Sequence, residues 1–152
     1  MSPLRVCLHH SGGWIARAIR WQTRSYWNHA SVLVGNTLVE ALPGPGVSAR
    51  RTLADAQRTE DVRVFTIPHL TDEGAAKVVA FLDAQLGKPY DKTMIIRFVT
   101  RQQANRRQRG QWFCSELVFA ALQAGGVNLL SRIEPWAVSP GTLALSPRLV
   151  AV

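Results

Sequence analysis

The stretch HASVLVGNTLVEAL, residues 29–42, decides the fold of this chain because it describes a β-hairpin. Its two halves are rich in β-branched and alternating apolar residues, and Gly35-Asn36 between them is typical of a two-residue turn. With that turn, Val34 pairs with Thr37 and Leu33 pairs with Leu38. We therefore predict antiparallel strands over 29–34 and 37–42.

The register of this hairpin predicts that a histidine and a glutamate lie on one face of the sheet. Ser31 falls opposite Glu40 and His29 opposite Leu42, so His29 and Glu40 are diagonal neighbours, roughly 5 to 8 Å apart at their β-carbons. A glutamate can reach that far and accept a hydrogen bond from the imidazole. The alternative is an ordinary histidine beside a solvated glutamate, because a loop one residue longer or shorter would separate the two.

Cys114 lies at or near the start of the apolar helix predicted over 113–123, which Gly125-Gly126 ends. At a helix start the unpaired N–H groups carry partial positive charge, which stabilises the thiolate form of Cys114. A nucleophilic cysteine also needs a base and a group that orients the base. His29 and Glu40 are the candidates for those two roles, although a cysteine at a helix start is by itself more often structural.

The remaining pattern predicts an α+β fold, with one antiparallel sheet packed against helices in a single domain over 1–152. Further strands are expected over 4–8 and 62–67, with helices over 14–22 and 72–86, and Thr71 caps the second helix. The inner face of that second helix comprises Ala75, Val78, Val79, Leu82 and Leu86. Another helix is expected to start at Ser139-Pro140.

The remaining histidines and cysteine receive structural interpretations. Cys7 lies between apolar residues of the first strand and is expected to be a small core residue. His9 and His10 follow as polar residues that end this strand, and they would point to opposite faces. Since no Cys-x-x-Cys or His-Glu-x-x-His spacing occurs, we expect neither a metal site nor a cofactor.

Charge suggests an alternative function. The formal net charge is +8, with 15 arginines and three lysines, which favours an anionic partner such as nucleic acid, a phospholipid surface or an acidic polymer. Residues 97–110 hold five arginines, among them Arg101, Arg106, Arg107 and Arg109. A basic binding module is thus the second hypothesis, although the interleaved aromatic residues typical of single-strand binders are missing from that run.

The sequence also bears on location. Its first residues lack the long apolar stretch and cleavage site of a signal peptide, and no apolar run approaches the length of a transmembrane helix. We expect a cytoplasmic protein without a transmembrane segment, and leave open secretion by another route or a phage origin.

Four segments in a particular order carry a family resemblance. They are Asn28-His29-Ala30-Ser31-Val32, then Val39-Glu40-Ala41 with Gly46-Val47, then Gly87-Lys88-Pro89-Tyr90-Asp91, then Phe113-Cys114-Ser115-Glu116-Leu117-Val118. Together they resemble the circularly permuted papain-like group. Its members are relatives of the NlpC-type cell-wall peptidases, in particular the YiiX/YaeF-like amidases, and the lecithin:retinol acyltransferase-like enzymes are more distant. In this group the histidine strand precedes the cysteine helix.

The resemblance implies a cysteine peptidase or amidase that works through an acyl-enzyme. It assigns Cys114 as nucleophile, His29 as base and Glu40 as third polar residue, and it makes Tyr90 a wall or oxyanion-side residue. An amide of a peptide, for example a murein peptide, is the first expectation for the substrate, followed by a lipid ester or N-acyl amide. A papain-like domain that has lost activity and serves in assembly or interaction is the further alternative.

Overall fold

The computed structural model describes residues 3–92 and 111–152, which form a mixed architecture of one antiparallel sheet and flanking helices. The strands are β1 Arg5–His10, β2 His29–Val34, β3 Thr37–Leu42, β4 Gly46–Thr52, β5 Asp61–Thr66 and β6 Val150–Ala151. The helices are α1 Trp14–Thr23, α2 Leu53–Gln57, α3 Asp72–Gln85, α4 Cys114–Ala124 and α5 Pro140–Leu143, with a short 3-10 turn over Pro135–Ala137. The strand order across the sheet is β4-β3-β2-β1-β5-β6.

The predicted hairpin is confirmed with its bounds and its register. The strands pair Val34 with Thr37 and Leu33 with Leu38 across Gly35, whose φ of 63° lies in the left-handed region that the turn needs. On the other side of β2, the strand β1 pairs antiparallel, with His9 directly opposite His29. The hairpin is therefore at the centre of the sheet, and its starting histidine has a second histidine as its neighbour.

The two faces of the sheet have different characters. One face packs its alternate apolar side chains against α3 and α4 and forms the main core, which includes Val6, Leu8, Ala30, Val32, Val39, Ala41, Val78, Leu82, Leu117 and Val118. The other face has a small apolar cluster of Cys7, Leu33, Leu38 and Ala56. Beside that cluster, the same face carries buried polar side chains, which form the candidate site described below.

Helix α3 has the predicted cap and a slightly different inner face. The Thr71 hydroxyl accepts a hydrogen bond from the amide of Gly74, as the sequence predicted. The helix ends at Gln85 and not at Leu86, which is 43% exposed and so does not belong to the inner face. Gln85 takes the buried position instead, because its amide oxygen accepts hydrogen bonds from Trp112 and Lys88.

Other differences from the expectation concern strands and polar positions. Strand β1 continues through His10, so His9 does not end the strand but sits inside it, fully buried. Cys7 is a buried core residue, as predicted. Strand β4 and helix α2 were not predicted, although Thr52 and Asp55 form a reciprocal capping box at the start of α2.

Two further expectations from the sequence concern the arginine-rich run and the lack of a transmembrane segment. Arg101, Arg106, Arg107 and Arg109 lie outside the described residues. Among the residues that are described, the helices are all too short or too polar to cross a bilayer.

The loop before β4 and the first residue of that strand, Gly46, supply a test of the packing. At Gly46, φ is 73°, and a β-carbon there would collide with the backbone oxygen of Lys88. At Gly44, in the same loop, φ is 92° but a β-carbon would meet no atom within 4 Å. Gly46→Ala should therefore lower the free energy of unfolding by about 2 kcal/mol more than Gly44→Ala, in which only the backbone strain acts. Urea unfolding of both variants measures the difference, and equal losses would contradict this packing.

Candidate active site

A histidine and a carboxylate form the centre of the site. Nε2 of His29 lies 2.7 Å from Oε2 of Glu40, and both residues are buried. His29 is the first residue of β2 and Glu40 the fourth of β3, so the hairpin register alone brings them to one face. The prediction that these two side chains are neighbours is confirmed, and the side chain of Glu40 is buried rather than solvated.

The buried carboxylate is held by an arginine that the sequence did not single out. Arg51 donates from Nε to Oε1 of Glu40 at 2.7 Å and from Nη2 to Oε2 at 2.9 Å, a bidentate contact. A register shift between β3 and β4 makes this contact possible. Glu40 pairs with Ser48, but Leu38 pairs with Arg51, so β4 holds one extra residue there. The bulge turns Arg51, and not Arg50, toward Glu40.

The network continues beyond the arginine. Nη1 of Arg51 donates to Oε1 of Glu60 at 2.7 Å, and Oε2 of Glu60 lies 2.7 Å from Nδ1 of His9. Nε2 of His9 lies in turn 2.7 Å from the hydroxyl of Ser31. These contacts link Arg51, Glu60, His9 and Ser31 across three strands and the turn before β5, so each of these four side chains has a hydrogen-bond partner.

The network sets the charge of both carboxylates. Burial of Glu40 would raise its pKa, but the hydrogen bonds from Arg51 and His29 outweigh burial and lower the pKa to about 2. In the same way, His9 and Arg51 outweigh the burial of Glu60 and lower its pKa to about 2. Both side chains are therefore carboxylates at neutral pH, and each can act as an acceptor for an imidazole.

The two histidines differ in charge because their surroundings differ. Burial would lower the pKa of His29, but its interactions with Cys114 and Glu40 raise that pKa to about 10. Burial lowers the pKa of His9 and exceeds the opposing hydrogen bond to Glu60. Since the two rings lie only 4.9 Å apart at their centroids, the positive charge on His29 also disfavours a charge on His9. His29 is thus the protonated member of the pair at neutral pH.

A cysteine lies next to the same histidine. Cys114 is the first residue of α4, with Phe113 as its N-cap, and its thiol lies close enough to the His29 ring to raise the pKa of that ring. Glu40 engages Nε2 of His29, which leaves Nδ1 as the ring nitrogen for Cys114. The structure thereby brings together Cys114, His29 and Glu40, in that order. Cys7 is not part of this arrangement, and burial raises its pKa to about 12.

A tyrosine and a small cavity adjoin the pair. The cavity, of about 170 Å³, is lined by His29, Tyr90, Ser11, Gly12, Ile15 and Ile19 among other residues. Tyr90 is held by a parallel bridge to Trp112, two residues before Cys114. Burial and the nearby Cys114 raise the pKa of Tyr90, which keeps its hydroxyl protonated. The predicted position of Tyr90 beside the cysteine and histidine is therefore observed, while its role stays a prediction.

Three side chains of the site belong to types that bind metals. One ligand atom from each of His9, His29 and Glu40 lies within 4.8 Å of the other two. However, Nε2 of His29 and Oε2 of Glu40 are 2.7 Å apart, whereas two ligands of a tetrahedral zinc ion lie about 3.3 Å apart. Arg51 also holds both oxygens of Glu40, and its positive charge opposes a cation there. The donors therefore suit a hydrogen-bond network and do not fit a metal in this arrangement.

Sequence reasoning missed three members of the network, and the reasons differ. His9 was overlooked because the first strand was ended too early, although the alternation of residues 5–10 could have extended it. Arg51 and Glu60 were missed because neither β4, which carries Arg51, nor α2, which is followed by the turn that carries Glu60, was predicted. Ser31 lies on the same face of the sheet as His29, as the register required, but its hydroxyl is hydrogen-bonded to His9.

Comparisons with known proteins add a likeness of fold. A scan against protein-family models gives no match, and neither does a search of the curated proteins. Among solved structures, the chain is similar to the one described as metalloprotein yiiX from Escherichia coli O157:H7, with a TM-score of 0.73 and 19% sequence identity. The match covers 100% of this chain and 97% of that one. At this identity the comparison shows a shared fold.

The depressed carboxylate pKa values predict an acid-sensitive stability. A carboxyl group whose pKa is lowered on folding stabilises the protein above its ordinary pKa of 4.5, and this stabilisation is lost as the pH falls toward 2. The loss in unfolding free energy caused by Glu60→Gln should therefore shrink by roughly 1 kcal/mol between pH 7 and pH 3.5. Urea unfolding at both values measures it.

Glu73 provides the matched control for this measurement. Its ion pair with Lys77 is exposed to solvent, so Glu73→Gln should change the unfolding free energy by less than about 0.5 kcal/mol at either pH. A pH-independent cost for Glu60→Gln would show that the network does not hold Glu60 as a carboxylate.

Proposed function

We propose that this protein is a cysteine hydrolase of the amidase or peptidase type, with Cys114 as nucleophile, His29 as general base and Glu40 as the residue that orients His29. The observation that carries the proposal is the buried line of contacts from Cys114 through His29 to Glu40. A nucleophile, a base and an orienting carboxylate in hydrogen-bond sequence are the requirements for covalent acyl transfer.

In the proposed first step, His29 holds the proton of Cys114 and the resulting thiolate attacks a carbonyl carbon. The raised pKa of His29 favours the imidazolium that this transfer creates. Glu40 accepts a hydrogen bond from Nε2 and so aims Nδ1 at the sulfur. Arg51 keeps Glu40 ionised and fixed, which makes it a positioning residue.

The start of α4 supports the next step. Cys114 is at the first helical position, and its N-cap residue Phe113 makes no side-chain capping hydrogen bond, so the amide of Cys114 would be close to a carbonyl attacked by its own sulfur. The amide of Cys114 would donate to the developing oxyanion, and Tyr90 would bound the site on the other side. His29 then returns its proton to the leaving amine, and water releases the acyl group from sulfur.

The order of the residues along the chain supports a permuted papain-like assignment. The histidine strand β2 precedes the cysteine helix α4, as in the circularly permuted relatives of NlpC-type enzymes. The likeness of the whole chain to the yiiX structure agrees with this assignment at the level of fold. The printed description of that structure as a metalloprotein does not transfer, because the donors here do not fit a metal.

The proposed substrate is an amide or acyl carbonyl, on a peptide such as a murein peptide or on a lipid. The cavity beside His29 accepts only a small group, since its volume is about 170 Å³. Its lining combines the apolar side chains of Ile15 and Ile19 with polar Ser11 and Asn28. Such a lining suits a short acyl or peptide segment next to the scissile bond.

The test uses an activated acyl donor because the natural substrate is unidentified. Wild type incubated with p-nitrophenyl acetate should form an acetyl adduct on Cys114, located by mass spectrometry of peptides. Cys114→Ala should carry no adduct, and His29→Ala should slow acylation roughly 100-fold or more. Glu40→Gln should slow it less than His29→Ala, since Glu40 takes no part in bond formation.

Cys7→Ala is the control for this experiment. Cys7 is fully buried and outside the line of contacts, so its removal should leave acylation unchanged. An adduct found on Cys7, or acylation of Cys114 at the same rate in His29→Ala, would overturn the assignment.

A further inference from the structure

The helix next to the candidate site has an outer face that nothing in the described structure covers. Trp14 is 75% exposed and Trp21 is 73% exposed, although tryptophan is ordinarily well buried. Both belong to α1, and their spacing of seven residues places them on one side, about 10.5 Å apart along the axis. The inner side of the same helix packs Ala16 and Ile19 into the protein.

The charge on this outer face is positive. Arg17 lies between the two tryptophans on their side of the helix, and Arg24 follows as the C-cap residue of the helix; both arginines are exposed. The first 39 residues of the chain contain four arginines and neither aspartate nor glutamate. Unlike Arg51, which is held by Glu40 and Glu60, these helix arginines have no acidic residue on their own segment.

We infer that the exposed face of α1 together with its C-cap residue, a surface formed by Trp14, Arg17, Trp21 and Arg24, docks onto an anionic phospholipid surface. Indole rings are amphipathic and settle at the level of lipid headgroups, and arginines beside them pair with headgroup phosphates. A helix with one apolar, buried side and an aromatic, cationic outer side lies parallel to such a surface. The convex shape of the helix favours a flat partner over a nucleic acid strand, which binds in a positively charged groove.

This docking would bring the lipid surface close to the candidate site. The turn that begins α1 and the inner residues of the helix line the cavity that also contains His29. The proposed docking face and the cavity therefore lie on opposite sides of α1. The inference stands independently of the proposed chemistry, because membrane association requires no reaction at Cys114.

The experiment measures binding to vesicles in the Cys114→Ala background, so that a failure of the proposed reaction cannot affect the result. Vesicles of phosphatidylcholine with phosphatidylglycerol should co-sediment the protein, and vesicles of phosphatidylcholine alone should bind it at least roughly tenfold more weakly. Trp14→Ala/Trp21→Ala should weaken binding to the anionic vesicles by roughly tenfold or more. Quenching of tryptophan fluorescence by brominated lipids should be present in the parent and reduced in this variant.

Two charge-reversal variants separate the docking face from net charge. Arg17→Glu/Arg24→Glu should reduce vesicle binding by roughly tenfold or more. Arg50→Glu/Arg148→Glu changes the net charge equally at exposed positions elsewhere, and it should retain most of the binding. Equal losses in the two variants, or no binding to anionic vesicles, would overturn the inference. So would single-stranded DNA that binds through the same four residues more tightly than the vesicles do.

Discussion

The site depends on one buried carboxylate, Glu40, whose side chain is shielded completely from water. An ionised carboxylate in such a place costs several kcal/mol unless its oxygens are paired. Here both oxygens accept bonds from Arg51, and one also accepts from His29. The other features of the site follow from this need, since the bulge in β4 aims Arg51 at Glu40, and Glu60 in the turn before β5 pairs with the remaining Nη1 donor of Arg51.

The two histidines show how one sheet gives chemically different roles to the same residue type. They are direct cross-strand partners, and each has a glutamate on one ring nitrogen. His29 has the cysteine on its other side, whereas His9 has Ser31. Because the rings are 4.9 Å apart, a second charge is disfavoured, and the structure leaves His29 as the charged member. His9 links Glu60 to Ser31 through hydrogen bonds from its two ring nitrogens.

The sequence predicted those parts of the site that follow from local rules. Alternation and the turn at Gly35-Asn36 were enough to place His29 beside Glu40, and the cap at Thr71 was recognised from one residue. Arg51 could not be predicted, because only a register shift between β3 and β4 decides whether Arg50 or Arg51 faces Glu40. The approach of Cys114 to His29 is likewise a tertiary contact, set by packing of α4 on the sheet; the chemistry of a nucleophilic cysteine suggested the pairing, and the family resemblance then implied it.

The central claim is that His29 is protonated at neutral pH. Nitrogen-15 NMR of the imidazole ring measures this protonation state. At pH 8 the wild-type ring should show two protonated nitrogens, because its contacts with Cys114 and Glu40 raise its pKa to about 10. Cys114→Ala should move the titration of His29 to lower pH, since it removes one of those contacts. A neutral His29 ring at pH 8 in the wild type, or a titration unchanged by Cys114→Ala, would contradict the account.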